Sequence, residues 1–231
     1  MDIRPRRRQR DDRAIELLRF RHDSNPFTVD KRRASVSLIV DRSHYETVVR
    51  AIGEARISVW IATANVKSLM IEAPRGTSAR ARGRYVTILD TLQSLCDRGV
   101  HVRLLHATRP SQMFRAELSA RSTRLRSPQF QMRECPRVHL KIVAVDGARL
   151  YLGSANFTGA GLGAKGDGRR NFEMGIFTDD EWMLDLVQER FDFIWRGGEC
   201  GSCRLRRECP LPLDGLRREG ALAAPIKIRR R

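Results

Sequence analysis

The stretch His139-Leu140-Lys141-Ile142-Val143-Ala144-Val145-Asp146 sets a histidine, a lysine and an aspartate in the spacing H-x-K-x4-D. Its apolar, β-branched filling reads as a strand, in which alternate side chains share a face, so His139 and Lys141 point the same way. An imidazole beside an ammonium suits an anionic group, phosphate above all. The imidazole can attack phosphorus while the ammonium neutralises the non-bridging oxygens. Seven residues after Asp146, Gly153-Ser154-Ala155-Asn156 ends a further strand. Its backbone N–H groups, hydroxyl and amide are placed to meet phosphate oxygens. Asn171-Phe172-Glu173 opens another strand, and Glu173 is a candidate to hold one imidazole nitrogen, fixing the tautomer of the attacking one. H-x-K-x4-D alone would arise by chance in roughly one of 100 chains of this length. The added GSxN and NxE leave little room for coincidence.

These motifs resemble the signature of the phospholipase D superfamily, H-x-K-x4-D followed by G-S-x-N. The resemblance extends over roughly residues 36–196, through "ARISVWIATANV", "DRGVHVRLLHA" and "VHLKIVAVDGARLYLGSANFTGAGL". The superfamily includes nucleases, lipases, lipid synthases and DNA-repair phosphodiesterases. Only one H-x-K occurs here, because His22, His44, His101 and His106 have no lysine two residues on. The chain is therefore similar to the small, single-motif branch, mostly nucleases, whose active site forms across a twofold dimer. That resemblance implies a metal-independent phosphodiesterase, with DNA the expected substrate. His139 of one copy would attack the phosphodiester to give a phosphohistidine; His139 of the other would protonate the leaving oxygen and then activate water. Lys141 and Asn156 of both copies would bind phosphate oxygens. Ser154 would position the phosphate or the histidine, and Asp146 would orient rather than carry protons.

Charge points to the same partner. The 231 residues hold 44 Lys and Arg against 27 Asp and Glu, a net +17, and all but five of the basic residues are arginine. A polyanion such as nucleic acid is the default partner of such a chain, an anionic membrane surface the second. The loop 157–170, "FTGAGLGAKGDGRR", follows GSxN, and Arg169 and Arg170 make it a mobile, basic rim for substrate. Two other readings stay open: a phospholipase D-type lipid phosphodiesterase or phosphatidyltransferase, and a non-catalytic nucleic-acid-binding module. No transmembrane stretch or obvious interfacial helix favours the first; the intact motif speaks against the second. The N-terminus has basic residues with no apolar segment behind them, so neither export nor stable membrane association is expected and a cytoplasmic location is.

The elements that must position this chemistry follow from periodicity. Residues 1–34 read as a basic arm, a short helix and a linker; 35–198 as the catalytic domain; and 199–231 as a cysteine-containing, basic tail. Within the domain, strands are expected at 35–40, 56–63, 100–106, 130–135, 138–146, 149–153 and 171–178. Helices are expected through Tyr45–Ala55, 86–96 and Trp182–Trp195, with a polar helical stretch to about Arg126. Ser43 with Glu46 and Thr178 with Glu181 read as capping boxes, Asp146-Gly147 as a hairpin turn, and 64–84 as mostly loop. Helix–strand alternation followed by consecutive strands predicts an α/β fold, a mixed β-sheet flanked by helices.

Five cysteines, an odd count, suit a reducing compartment. Cys200, Cys203 and Cys209 have a C-x2-C-x5-C spacing that suits zinc or an iron–sulfur cluster in a structural role. Three thiols are one short of a closed site. Cys135, four residues before His139, is the candidate fourth ligand, whereas Cys96 lies on an apolar helical stripe. Free thiols on a flexible tail are the alternative.

Overall fold

Successive side chains of a strand point to opposite faces and those two apart share one, and this parity builds the protein around one sheet. A computed structural model describes residues 32–73, 76, 78–121, 128–207, 209 and 211–215. The expected arm and short helix before residue 32, the end of the polar stretch at 122–127 and the basic end of the tail lie outside the described residues. In chain order the elements are β1 (Ser37–Val40), a π-helical turn (Tyr45–Val49) running into α1 (Arg50–Gly53), β2 (Ser58–Thr63), β3 (Met70–Glu72), α2 (Ser78–Ala81), β4 (Tyr85–Thr87), α3 (Ile88–Asp97), β5 (His101–His106), α4 (Gln112–Ala120), β6 (Phe130–Glu134), β7 (Ile142–Val145), β8 (Arg149–Gly153), β9 (Met174–Thr178) and α5 (Glu181–Trp195).

Seven strands form one mixed sheet in the order β1-β9-β8-β7-β2-β5-β6, while β3 and β4 make a separate ribbon. β2, β5 and β6 run parallel. β7 is antiparallel to β2, and β8, β9 and β1 continue antiparallel outward. Val59 and Ile61 of β2, Val102 and Leu104 of β5, and Val143 and Val145 of β7 pack with Ile52, Leu92 and Phe114 from the helices on one face. The alternate residues Ala62, Leu105 and Ile142 pack on the other face with Phe191 and Trp195 of α5 and with Leu213. Because helices or tail cover both faces, all four residues of β7 are buried, and the strand reads as an unbroken apolar run. This is the mixed, helix-flanked sheet that the sequence predicts.

Asp146 and Gly147 both adopt positive φ, 57° and 63°, in the turn that the Ala148 N–H closes onto the Val145 carbonyl between β7 and β8. The Asp146 carboxylate accepts backbone N–H bonds from Arg56, Ile57 and Ser58, at 2.7 to 3.1 Å. It thereby ties the hairpin to the start of β2.

Several local expectations are corrected. Ser43 bonds back to Val40, and Glu46 pairs with Arg42, so no capping box forms there. Thr178 donates to the Ser35 carbonyl, leaving Asp180 to cap α5 through the Met183 N–H. A reciprocal box does form at Thr87 and Asp90, where Asp in place of Glu or Gln hides it from the usual pattern. The loop expected over 64–84 contains β3 and α2, and β4 follows it at Tyr85–Thr87, each too short to show a period. The strand expected over 138–146 joins the ladder only at Ile142, because Val138 closes a turn onto the Cys135 carbonyl.

Burial raises the Asp146 carboxyl, but the N–H groups of Ser58, Ile57 and Arg56, with Arg149, outweigh it and hold it below its ordinary 3.8. A depressed folded pKa contributes stability above pH 3.8 that is lost as pH falls through the folded value. Asp146→Asn is expected to lower unfolding stability by about 1–3 kcal/mol at pH 7. In urea titrations the gap to wild type should narrow below pH 3.8; an equal gap at pH 7 and pH 3 would show that the carboxylate charge is not what ties the turn.

Candidate active site

Lys141 immediately precedes β7, and the ladder around it defines the site. Ala62 pairs with Ile142, which sets Thr63 opposite Lys141. On the other side the Gly153 N–H donates to the Lys141 carbonyl at 3.1 Å. The ends of β2 and β8, with the loops that follow them, therefore converge on the H-x-K segment. Carboxyl ends of parallel strands are where open α/β sheets place ligand sites.

His139 is exposed. The Lys141 ammonium donates to the His139 carbonyl at 2.9 Å and lies 3.0 Å and 3.2 Å from the two ring nitrogens. Burial holds Lys141 below its ordinary pKa against the opposing pull of Glu173. The Glu173 carboxylate is held by the Ser154 hydroxyl and by Asn171 Nδ2 at 3.0 Å. It thus faces Lys141 through space, while its bonds go to Ser154 and Asn171 rather than to the His139 ring. Ser154 Oγ also accepts the Met174 N–H at 3.0 Å, which makes it a brace for Glu173.

Asn156 Oδ1 accepts from the Asn65 N–H at 3.1 Å and from Thr63 Oγ1 at 3.3 Å. The oxygen is thereby assigned, and the Nδ2 group becomes the donor left for a ligand. The backbone N–H groups expected to meet phosphate are engaged elsewhere. Ser154 N–H goes to the Met174 carbonyl, Ala155 N–H to Tyr151 Oη, and Phe157 N–H to Thr63 Oγ1. Asp146 sits at the far end of β7, away from His139 and Lys141. The 157–170 loop, expected as a mobile rim, is closed by its own bonds, including Leu162 N–H to Thr158 and Lys165 N–H to Gly159. Arg170 is paired with Asp167, while Arg169 is exposed.

Sequence reasoning missed Thr63, Asn65 and Tyr151 as parts of this site. Thr63 and Asn65 stand in "IATANV", where a polar pair closing an apolar strand was the available signal. Tyr151 is fully buried and sits under GSxN, with its ring edge-on to the buried His44 at 5.4 Å. Burial pushes its phenol up to about 12, so it stays a neutral hydroxyl that accepts from Ala155.

The cysteines form a separate group. Cys135, Cys200, Cys203 and Cys209 line one hollow on the α5 face of the sheet. Burial, and then the neighbouring Cys200, Cys209 and Cys203, push the Cys135 thiol up. Cys96 is instead a core thiol on α3, raised to about 11 by burial. Among the described residues no group of three or more His, Cys, Asp or Glu is placed to hold a metal ion.

Residues 48–195, more than half of the chain, match the family described as "Cardiolipin synthase, PLD-like domain". The chain belongs to this phospholipase D-like family. Among solved structures it is similar to Nuc from Salmonella typhimurium, a phospholipase D family member, at 20% identity and TM-score 0.49, covering 71% of this chain and 95% of that one. It is similar also to NucT from Helicobacter pylori, at 17% identity and TM-score 0.48, covering 69% and 94%. A third is phosphatidylserine synthase from Haemophilus influenzae, at 16% identity and TM-score 0.46, covering 71% and 39%. No curated protein matches the chain. Among the described residues no helix is long and apolar enough to cross a membrane.

The glycines of β8 and β9 make room for Tyr151. A Cβ on Gly175 would stand 2.5 Å from the Tyr151 ring and 3.1 Å from Gly153 Cα. Gly175→Ala is expected to lower stability by about 1–3 kcal/mol through overpacking, whereas Gly201→Ala, with nothing within 4 Å, should change it little. Equal urea midpoints for the two variants would show that Tyr151 is not confined beneath the site.

Proposed function

We propose that this protein is a nuclease, a phosphodiesterase acting on nucleic acid through a phosphohistidine at a site completed by a second copy. The observation that carries the reading is the Lys141 ammonium lying 3.0 Å from the exposed His139 ring. The Asn156 amide, held by Thr63 and Asn65, stands on the neighbouring loop. The His139 nitrogen lone pair forms the bond to phosphorus as the bond to the leaving oxygen breaks. That oxygen takes a proton from His139 of the second copy. The same second histidine then removes a proton from water, which attacks phosphorus, breaks the P–N bond and returns His139 neutral. Lys141 and Asn156 meet the non-bridging oxygens. These residues supply the nucleophile, the acid and the charge stabilisation without a metal ion.

Two observations support a second copy. Of the nearby histidines, His106 is buried, pushed to lower pKa by that burial, and bonded to the Thr108 carbonyl, so it is unfit to move protons. Next to Glu173 lies an exposed apolar patch of Leu38, Val40, Phe172 and Met174, with Phe172 95% and Leu38 65% exposed. Val40 and Met174 are cross-strand partners on this surface, and such a patch is the expected mark of an interface. The net charge of +17 favours nucleic acid over lipid as the source of the phosphodiester.

His139→Ala is expected to reduce cleavage of labelled DNA or RNA by at least about 10³-fold, while filter binding stays within a few-fold of wild type. Leu38→Glu should keep the fold, shift sedimentation from dimer to monomer and lower activity with it. Substantial turnover by His139→Ala, or a fully active monomer, would overturn the reading. Cleavage of phospholipid vesicles but not of nucleic acid would reassign the substrate to lipid.

A further inference from the structure

Four of the five cysteines meet at one place although they come from two distant segments. Cys135 follows β6 and donates its N–H to the His106 carbonyl at 2.8 Å. Cys200, Cys203 and Cys209 follow α5, and the Cys203 N–H closes a turn onto the Cys200 carbonyl at 3.3 Å, the local shape through which C-x2-C chelates. The segment is docked on the sheet by Leu213, which is buried with Val138, Phe191 and Trp195. The four thiols line one small hollow of about 20 Å³, which suits a single ion. Arg137 and Arg206 line the same hollow, and the neighbouring Cys203 sulfur, above all, raises the Arg137 pKa. Cations donating to coordinated sulfur are the expected neighbours of a four-thiolate centre, which carries excess negative charge. Packing alone gives no reason for sulfur at all four positions, since any small apolar residue would fill a dry wall.

We propose that Cys135, Cys200, Cys203 and Cys209 bind one zinc ion. As placed, the four thiols line the hollow without forming a metal-holding group, so binding must draw them together. Binding releases the thiol protons and forms four Zn–S bonds in a tetrahedral, closed centre with no position for substrate. The ion then staples the tail segment to the turn Cys135–Val138, whose next residue is His139. Its role is to hold that turn rather than to enter the phosphodiester chemistry, and its presence can be read independently of any cleavage activity.

The test is elemental analysis of the full chain purified under reducing conditions from zinc-supplemented culture, followed by cobalt(II) titration of the demetallated protein. The expected result is about one zinc per chain and the visible bands of tetrahedral thiolate cobalt. Cys135→Ser and Cys203→Ser should each lose most of the zinc, while Cys96→Ser should retain it. Because the zinc content and the cobalt spectrum are read on wild-type protein, poor folding of a serine variant leaves the test intact. Wild-type protein that contains no zinc and takes up no cobalt would overturn the proposal. So would iron with acid-labile sulfide in place of zinc, or zinc retained at full stoichiometry in a folded Cys135→Ser protein.

Discussion

The Asp146 carboxylate takes three consecutive backbone N–H groups, from Arg56, Ile57 and Ser58, and through them fixes how β7 lies against β2. Register in a sheet is all or nothing, since a slip of one residue would turn every β7 side chain to the opposite face. With Asp146 tied to the start of β2, Val143 and Val145 face the α1, α3 and α4 side, and Ile142 faces α5. At the other end of the strand the same register sets Lys141 opposite Thr63 and next to Gly153. Four residues of extended chain, five steps or about 17 Å, separate the aspartate from the lysine. The third member of the motif therefore works at a distance, by holding the strand that presents the other two.

At the open end, most polar groups are used up in holding one another. Ser154 and Asn171 hold Glu173, Thr63 and Asn65 hold Asn156, and Tyr151 holds the Ala155 N–H. What remains is the exposed His139 ring with the Lys141 ammonium against it, and the Asn156 amide on the loop after β8. In the proposed reaction such preorganisation would stabilise charge that develops on a phosphate without reorganising at the moment of reaction. One H-x-K histidine per chain would make this half of the two-histidine site proposed above, and the apolar patch next to Glu173 offers a surface on which a second copy would dock.

Much of this was legible in the sequence, and the failures have physical causes. The central strands were readable because burial on both faces makes them continuous apolar runs, and Asp146-Gly147 because positive φ at two successive positions demands such residues. The pairing of His139 with Lys141 followed from strand parity, even though both stand just before the ladder begins. The ribbon β3–β4 was not readable, since three-residue strands have no period. Both expected capping boxes failed because the hydroxyls of Ser43 and Thr178 found backbone partners in β1 and just before it, contacts that spacing cannot reveal. The partners of Glu173 and the roles of Thr63 and Asn65 depend on which loops meet at the sheet end, a tertiary fact. The approach of Cys135 to the tail cysteines is of the same kind, raised by residue type and decided by where Leu213 docks.

The central claim is that His139 forms a covalent bond to phosphorus. The direct measurement is a single-turnover reaction with a phosphorus-labelled oligonucleotide, quenched in alkali to preserve acid-labile phosphoramidates and followed by mass spectrometry of the peptides. The account predicts label that rises and decays on the peptide containing His139, at a rate competent for turnover. Turnover with the protein-bound phosphorus on another residue, or with none bound at any time, would contradict it.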